Sequence, residues 1–395
     1  MRGNRLASMS MYTELGKRFM RYRVPFLREK LLPMKLTVAS TFLCNHRCKM
    51  CDIWQVYRKA KAKLDEELTR ADFQNIFEQL RTSLLYLDWT GGEPFLRQDM
   101  PDILGDAARI CPRLSSVVIT TNGLLTDRIV ESVEKVARAM PRQIVAIGVS
   151  LDGTRDNHNF IRGRDDAYET AVSTLAGLRK LSETRPNVEA KISYTISYRN
   201  AGKLETFDRD VLRPLGLNMG DVGFGLEHTG GLYQTAFSPD KAVGRVSEEE
   251  FRALARNDIE YALARLKEDD LRLLQRLKSM YRVFFLREIP GFLDQPTKLV
   301  MHCSATRNSL YMDPYGFLYP CIVWSRKLGH FKDGIAALLR GELVRDTRRL
   351  IDRGQCPICW NACEAIPSLL TSYRLVGCVA RGFADARAIR GLLKR

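Results

Sequence analysis

Three cysteines crowd the stretch from Ser40 to Trp54, with Cys44, Cys48 and Cys51 spaced C-x3-C-x2-C. Whatever the chain folds into must bring these thiols to one place. Thiolates are soft ligands that suit iron–sulfur clusters and zinc. A [4Fe–4S] cube held by three cysteines keeps one iron open to a small molecule. A zinc site, or three unrelated buried thiols, are the alternatives that the triplet alone leaves standing.

The chain around the triplet alternates. Apolar runs of strand length lead into polar turns, and helical periods follow. Strands are expected at 35–42, 84–89, 116–121, 144–150, 188–197 and 220–227. Helical patterns lie between them, as in the recurrence of Phe73, Ile76, Phe77 and Leu80. Thr69 and Asp72 suit a helix N-terminus, and Ser247 with Glu250 suits another, opening a helical region to about Arg287. Strand–helix alternation means βαβ units and a parallel sheet. The expected fold class is therefore α/β, a partial (β/α)6 TIM barrel with a small C-terminal α+β extension. The expected division is a basic helical segment at 1–34, the barrel at 35–231, a helical connector at 232–300, a second cysteine-bearing module at 301–380 and a basic tail at 381–395.

At 395 residues and 45% hydrophobic content the chain suits a large globular domain with a smaller one. Lys+Arg 62 against Asp+Glu 46 gives +16, which favours anionic partners. Ten cysteines without an apolar leader at the N-terminus argue for a reducing cytoplasm and thiols kept for metal. Residues 17–32 interleave Lys and Arg with Phe, Met, Tyr and Leu. Such a segment either packs on the main domain or lies on a membrane surface as an amphipathic helix.

Each expected strand ends in a distinctive turn. Thr90-Gly91-Gly92-Glu93-Pro94 follows the second, Thr121-Asn122-Gly123 the third and Ser150-Leu151-Asp152-Gly153 the fourth, with His158 and Ile161-Arg162-Gly163 downstream. Paired glycines permit close approach to the backbone. A carboxylate accepts hydrogen bonds from an ammonium group, and arginine pairs well with a carboxylate. Together with the cysteine triplet, in this order, these motifs resemble the radical S-adenosylmethionine (SAM) superfamily over roughly residues 35–230. The resemblance implies a [4Fe–4S] cluster on Cys44, Cys48 and Cys51 with SAM on its open iron. It also implies SAM contacts by Gly91, Gly92, Glu93, Asn122, Ser150, Asp152 and Arg162. Relatives often have His-Asp where this chain has His158-Asn159, so His158 is expected to be structural.

Cys303 and Cys321 flank an expected hairpin, with strands at 310–312 and 317–319 around Asp313-Pro314-Tyr315-Gly316. Cys356, Cys359 and Cys363 follow, then Cys378. This resembles the SPASM and twitch extensions, which bind auxiliary [4Fe–4S] clusters, but one cysteine of the full SPASM pattern is missing. The resemblance implies one auxiliary cluster, or two with the second incompletely ligated. Cys303, Cys321, Cys356 and Cys359 are the favoured ligands and Cys363 a substitute for one of them. A zinc knuckle of Cys356, Cys359, Cys363 and Cys378 is the alternative.

The implied activity is reductive cleavage of SAM to a 5′-deoxyadenosyl radical and hydrogen abstraction from a substrate. A small molecule, sugar or lipid-linked precursor is favoured and a ribosomal peptide is the alternative. Flavodoxin or ferredoxin would supply the electron. Glu227, His228, Tyr233 and Arg307 are candidate polar contacts for the substrate. A non-enzymatic, metal-binding partner of nucleic acid leaves the ordered turn motifs without a purpose, so no direct nucleic-acid contact is expected.

Overall fold

A computed structural model describes residues 14, 16–59, 61–227, 231, 243–268 and 273–372. Six parallel strands follow one another: β1 (Lys35–Thr41), β2 (Tyr86–Gly91), β3 (Ser116–Thr121), β4 (Ile144–Ser150), β5 (Val188–Ile196) and β6 (Val222–Leu226). Helices Arg70–Leu80, Met100–Ile110, Thr126–Ala139 and Ala167–Thr184 connect them. The first helix begins with a reciprocal cap. The Thr69 hydroxyl accepts from the Asp72 amide, and Asp72 accepts from the Thr69 amide.

The strands have two faces. Leu36, Val38, Leu87, Trp89, Val117, Ile119, Ile147 and Ile192 pack under the helices in one continuous core. Their neighbours in sequence turn the other way, toward the hollow of the curved sheet. There the lining is small and polar, with Thr37, Asp88, Thr120, Gly148, Ser193, Thr195 and Gly225 at alternate positions.

The sheet does not stop at β1. Two strands from the C-terminal region, β7 (Ser309–Met312) and β8 (Phe317–Tyr319), and the short β9 (Gly329–His330) extend it in the order β6-β5-β4-β3-β2-β1-β7-β8-β9. β7 is parallel to β1, with Lys35 opposite Ser309, and the β7–β8 hairpin turns at Asp313–Gly316 as its sequence suggests. The cysteine-bearing module is thus continuous with the barrel sheet. The sheet remains open, as in a partial barrel.

Two boundaries differ from the sequence reading. β2 starts later and runs on through Gly91, because Gly91 pairs with Thr41 across a register shift in β1. The helical region expected to end near Arg287 runs on, with Pro290 inside the helix Leu273–Asp294. Burial of Leu286, Ile289 and Leu293 holds that helix together despite the hydrogen bond proline forfeits. His228, Tyr233, Cys378 and the 381–395 tail lie outside the described residues.

Candidate active site

β1 delivers the chain into the cysteine loop, and three neighbouring elements grip it. The first is Gly91-Gly92-Glu93. The Gly92 amide donates to Thr41 O at 2.7 Å and the Glu93 amide to Leu43 O at 2.8 Å. A Cβ on Gly92 would sit 2.1 Å from Leu43 O, and one on Gly91 would sit 2.3 Å from Thr41 O. The backbone that crowds both positions is that of the cysteine loop itself.

Glu93 is fully buried beneath the loop. It accepts from the Thr121 hydroxyl (2.8 Å), the Asn122 amide (2.8 Å) and the Phe95 amide (3.2 Å). Burial lifts its pKa to about 7 against the pull of those three donors. The second grip is Asn122, whose side-chain amide donates to Asn45 Oδ1 at 2.7 Å between the first two cysteines.

The third grip is the Arg155–Arg162 helix. The Lys49 amide caps Ile161 O at 2.9 Å, and Gly163 ends the helix in the left-handed region. A Cβ on Gly163 would meet Arg47 O at 2.5 Å. The same helix ends in Arg162. Its guanidinium is held by Asp152 and points Nη1 at Cys48 Sγ, 3.8 Å away. Asp152 is saturated, accepting from Arg162 and from the Thr195 amide at 2.9 Å, while its own amide donates to His158 Nδ1 at 3.0 Å. Asp152 therefore orients Arg162, and His158 is a buried structural group. Ser150 lies at the end of β4 beside this pair, buried.

Sequence reasoning missed Asn45, Lys49 and His46. His46 is 1% exposed, yet neither ring nitrogen has a partner among the described residues. Burial, then the Arg162 charge, pushes its pKa down to about 3, so the ring is neutral. Its place between Cys44 and Cys48 was the only sequence signal.

The other cysteines gather beside β7 and β8. Cys303, Cys321, Cys356 and Cys359 line one cleft of about 540 Å³ with Trp324, Trp360 and Glu364. Cys363 does not line it; it lies on the Ala362–Leu370 helix, and its carbonyl accepts from Lys35 Nζ at 2.7 Å. Glu364 enters the cleft buried, one oxygen on the Ser309 hydroxyl and the other without a partner among the described residues. Arg307 is only 2% exposed and is consumed by Asp352 and Glu29, so it offers nothing to a substrate. Glu227 does line an opening, a cleft of about 710 Å³ between the β5 and β6 ends and Val323, Cys359 and Trp360.

The donors suit a soft metal group. All nine described cysteines are free thiols. Burial pushes the Cys359 thiol up to about 12 and holds Cys44, Cys303 and Cys321 above the usual thiol range. Packed thiols of this kind become thiolates when a cation compensates them. Among the described residues no three of Cys, His, Asp and Glu converge as a single ion requires.

Comparison with known proteins agrees with this geometry. Residues 38–188 match the family model of the Radical SAM superfamily. Fe-coproporphyrin III synthase of Methanosarcina barkeri is 31% identical over 160 residues, 40% of this chain and 35% of that protein. Mycofactocin maturase MftC of Mycobacterium ulcerans is 30% identical over 178 residues, 44% of this chain and 43% of that protein. The chain thus spans less than half the length of these curated relatives. The solved structure of native anSMEcpe with bound AdoMet superposes with a TM-score of 0.56 at 15% identity, covering 81% of this chain and 84% of that one, which speaks for the fold. The superfamily works with a [4Fe–4S] cluster and SAM, and its SPASM-type members carry auxiliary clusters. Residues 38–188, which hold the cysteine loop and the elements that grip it, thus carry the radical SAM domain.

Proposed function

We propose that the protein is a radical SAM enzyme that cleaves SAM reductively and abstracts hydrogen from a substrate, in an oxidative or rearranging biosynthetic step. One observation carries this reading: three separate elements, the loops after β2 and β3 and the helix after β4, all clamp the Cys44–Cys51 loop. Such bracing suits a loop that must hold a cofactor in one geometry.

Cys44, Cys48 and Cys51 would hold the [4Fe–4S] cluster, and Gly91, Gly92, Glu93, Asn122, Ser150, Asp152 and Arg162 would frame SAM. When bound, the pair supplies a 5′-deoxyadenosyl radical. The chain's own part is to fix the loop, to keep Arg162 aimed at Cys48 through Asp152 and to leave the hollow open. Cys303, Cys321, Cys356 and Cys359 would hold one auxiliary cluster within a 301–380 module, with Cys363 outside the ligand set. An external flavodoxin or ferredoxin would deliver the electron. Nine free thiols support a cytoplasmic setting.

The hollow favours a compact polar substrate. Gly148 and Gly225 face it, and a Cβ there would meet nothing nearer than Ser193 Cβ at 3.4 Å and Thr195 Oγ1 at 3.7 Å. The space is kept by the absence of side chains rather than filled. The peptide reading has its own support, since MftC and the SkfB of Bacillus subtilis are named as maturation proteins.

The test is anaerobic formation of 5′-deoxyadenosine by reconstituted protein with SAM and reductant, challenged with polar metabolite, peptide and lipid fractions. A Cys48→Ala variant is the blank. Stimulation by one fraction identifies the substrate class, and a wild type that never exceeds the blank refutes the proposal.

A further inference from the structure

The basic N-terminal segment allowed two readings, a helix packed on the domain or a helix on a membrane. The structure gives the helix two faces with separate uses. Residues 16–23 are helical, and a second short helix, Pro25–Arg28, follows. The inner face is pinned. Arg18, buried, donates to Asn308 Oδ1 (2.9 Å), Leu32 O (2.7 Å) and Arg307 O (2.6 Å). Tyr22, one turn on, is 5% exposed.

The outer face breaks the usual pattern. A packed surface helix turns charge outward. Here Met20 and Phe26, each 67% exposed, are the two most exposed large apolar side chains among the described residues, with Val24 between them. At helical spacing Met20 lies on the side opposite Arg18 and Tyr22. Exposed Lys17, Arg21 and Lys30 ring the patch, and Lys30 Nζ lies 3.7 Å from the centre of the Phe26 ring. Between 14 and 32 there are six Lys or Arg against two Glu. Both Glu are engaged by arginines of the domain, Glu14 by Arg113, beside Lys17, and Glu29 by Arg307 and Arg348.

We propose that this face docks the protein on an anionic lipid bilayer, with Met20, Val24 and Phe26 entering the headgroup boundary and Lys17, Arg21 and Lys30 meeting lipid phosphates and carboxylates. Apolar side chains ringed by cations are what such a surface selects, since insertion and charge attraction add. The rigid anchoring of Arg18 and Tyr22 means that the face is presented without folding on arrival. The segment precedes β1, so it lies by the strand ends opposite the cysteine loop. Docking therefore leaves the mouth of the site turned away from the bilayer. This does not depend on the proposed activity.

The test is flotation of the full chain with vesicles of phosphatidylcholine alone, or of phosphatidylcholine and phosphatidylserine in equal parts. Binding is expected only to the second and is released by salt. Neutralising Lys17, Arg21 and Lys30 to Gln weakens it by roughly fivefold per charge. Met20→Ser with Phe26→Ser weakens it by about tenfold or more. Leu215→Ser, an exposed apolar position in the connection between β5 and β6 at the far edge of the sheet, changes nothing. Thermal melts at the wild-type temperature show that the variants fold. Equal binding to both vesicles, or binding that survives both sets of substitutions, overturns the proposal. So does a wild type that ignores vesicles but is a dimer which Met20→Ser with Phe26→Ser dissociates, because a second copy then covers the face.

Discussion

Gly92→Ala is a one-carbon perturbation with a calculable cost. The new Cβ would lie 2.1 Å from Leu43 O, 2.6 Å from Leu43 C and 3.0 Å from Phe42 C. An ordinary carbon–oxygen contact is about 3.3 Å, so the cysteine loop must retreat by roughly 1 Å. That retreat stretches two hydrogen bonds, Gly92 N–H to Thr41 O and Glu93 N–H to Leu43 O. At about 1 kcal/mol each, plus ~1–3 kcal/mol for overpacking, the variant loses about 3–5 kcal/mol. Gly225→Ala is the control, since its Cβ would make an ordinary 3.7 Å contact with Thr195 Oγ1. Thermal melting of both variants, with SAM binding by equilibrium dialysis after anaerobic reconstitution, reads out fold and site. Gly92→Ala should melt clearly lower and bind SAM weakly, while Gly225→Ala melts near the wild type. If Gly92→Ala matches wild type in both assays, the clamp does not exist as described.

Asn122→Ala, which frees Asn45, should cost about 1 kcal/mol of stability and lower the iron retained by Cys44–Cys51 on gel filtration. Asp152→Ala leaves the Arg162 charge buried and unpaired, so a loss of ~3–5 kcal/mol is expected by denaturant melting. Cys363→Ala should keep the iron content of the wild type, whereas Cys321→Ala or Cys359→Ala should lose auxiliary iron; equal losses from all three would restore Cys363 to the ligand set. Asp258 caps the 202–204 amides at 2.8 and 3.1 Å, and burial lifts its pKa to about 6. The folded state then holds a proton that the unfolded state releases near pH 4. Its contribution is complete below about pH 4 and is lost as pH rises to about 6, roughly 3 kcal/mol in all, and Asp258→Asn should flatten that part of the stability profile.

Local chemistry was legible and tertiary chemistry was not. The strands and helices from Lys35 to Leu226 follow from apolar periodicity, and the Thr69–Asp72 cap and the Asp313–Gly316 turn follow from residues three apart. These features are decided by near neighbours. The crowding at Gly91 and Gly92 was not legible because the atoms they avoid belong to residues 41 and 43, some fifty positions back. Arg307 looked like a free cation because its partners, Glu29 and Asp352, are remote in sequence. Asn45 and Lys49 carried no signal, since an amide side chain or a backbone N–H reveals its target only once the loops are packed. Cys363 read as a substitute for one of the four favoured ligands, and its place on the Ala362–Leu370 helix, off the cleft lining, carried no sequence signal.

The parallel pairing of β7 with β1 has the largest consequence of these remote contacts. β1 ends in the loop that bears Cys44, and its first residue, Lys35, bonds Asp88 at 2.7 Å and the Cys363 carbonyl. β7 begins at Ser309, whose hydroxyl holds Glu364 in the four-cysteine cleft. Both cysteine sets therefore hang on one pair of hydrogen-bonded strands. Cys44 and Cys51 at one site, and Cys303, Cys321, Cys356 and Cys359 at the other, also border one hydrophobic cluster built on Ala39, Phe42, Tyr57, Tyr311 and Tyr319. Interiors this closely packed do not let one wall shift without the other. The spacing between the two sites is thus set by backbone pairing and aromatic packing rather than by a linker, and a C-terminal module grafted through a flexible joint would not reproduce it.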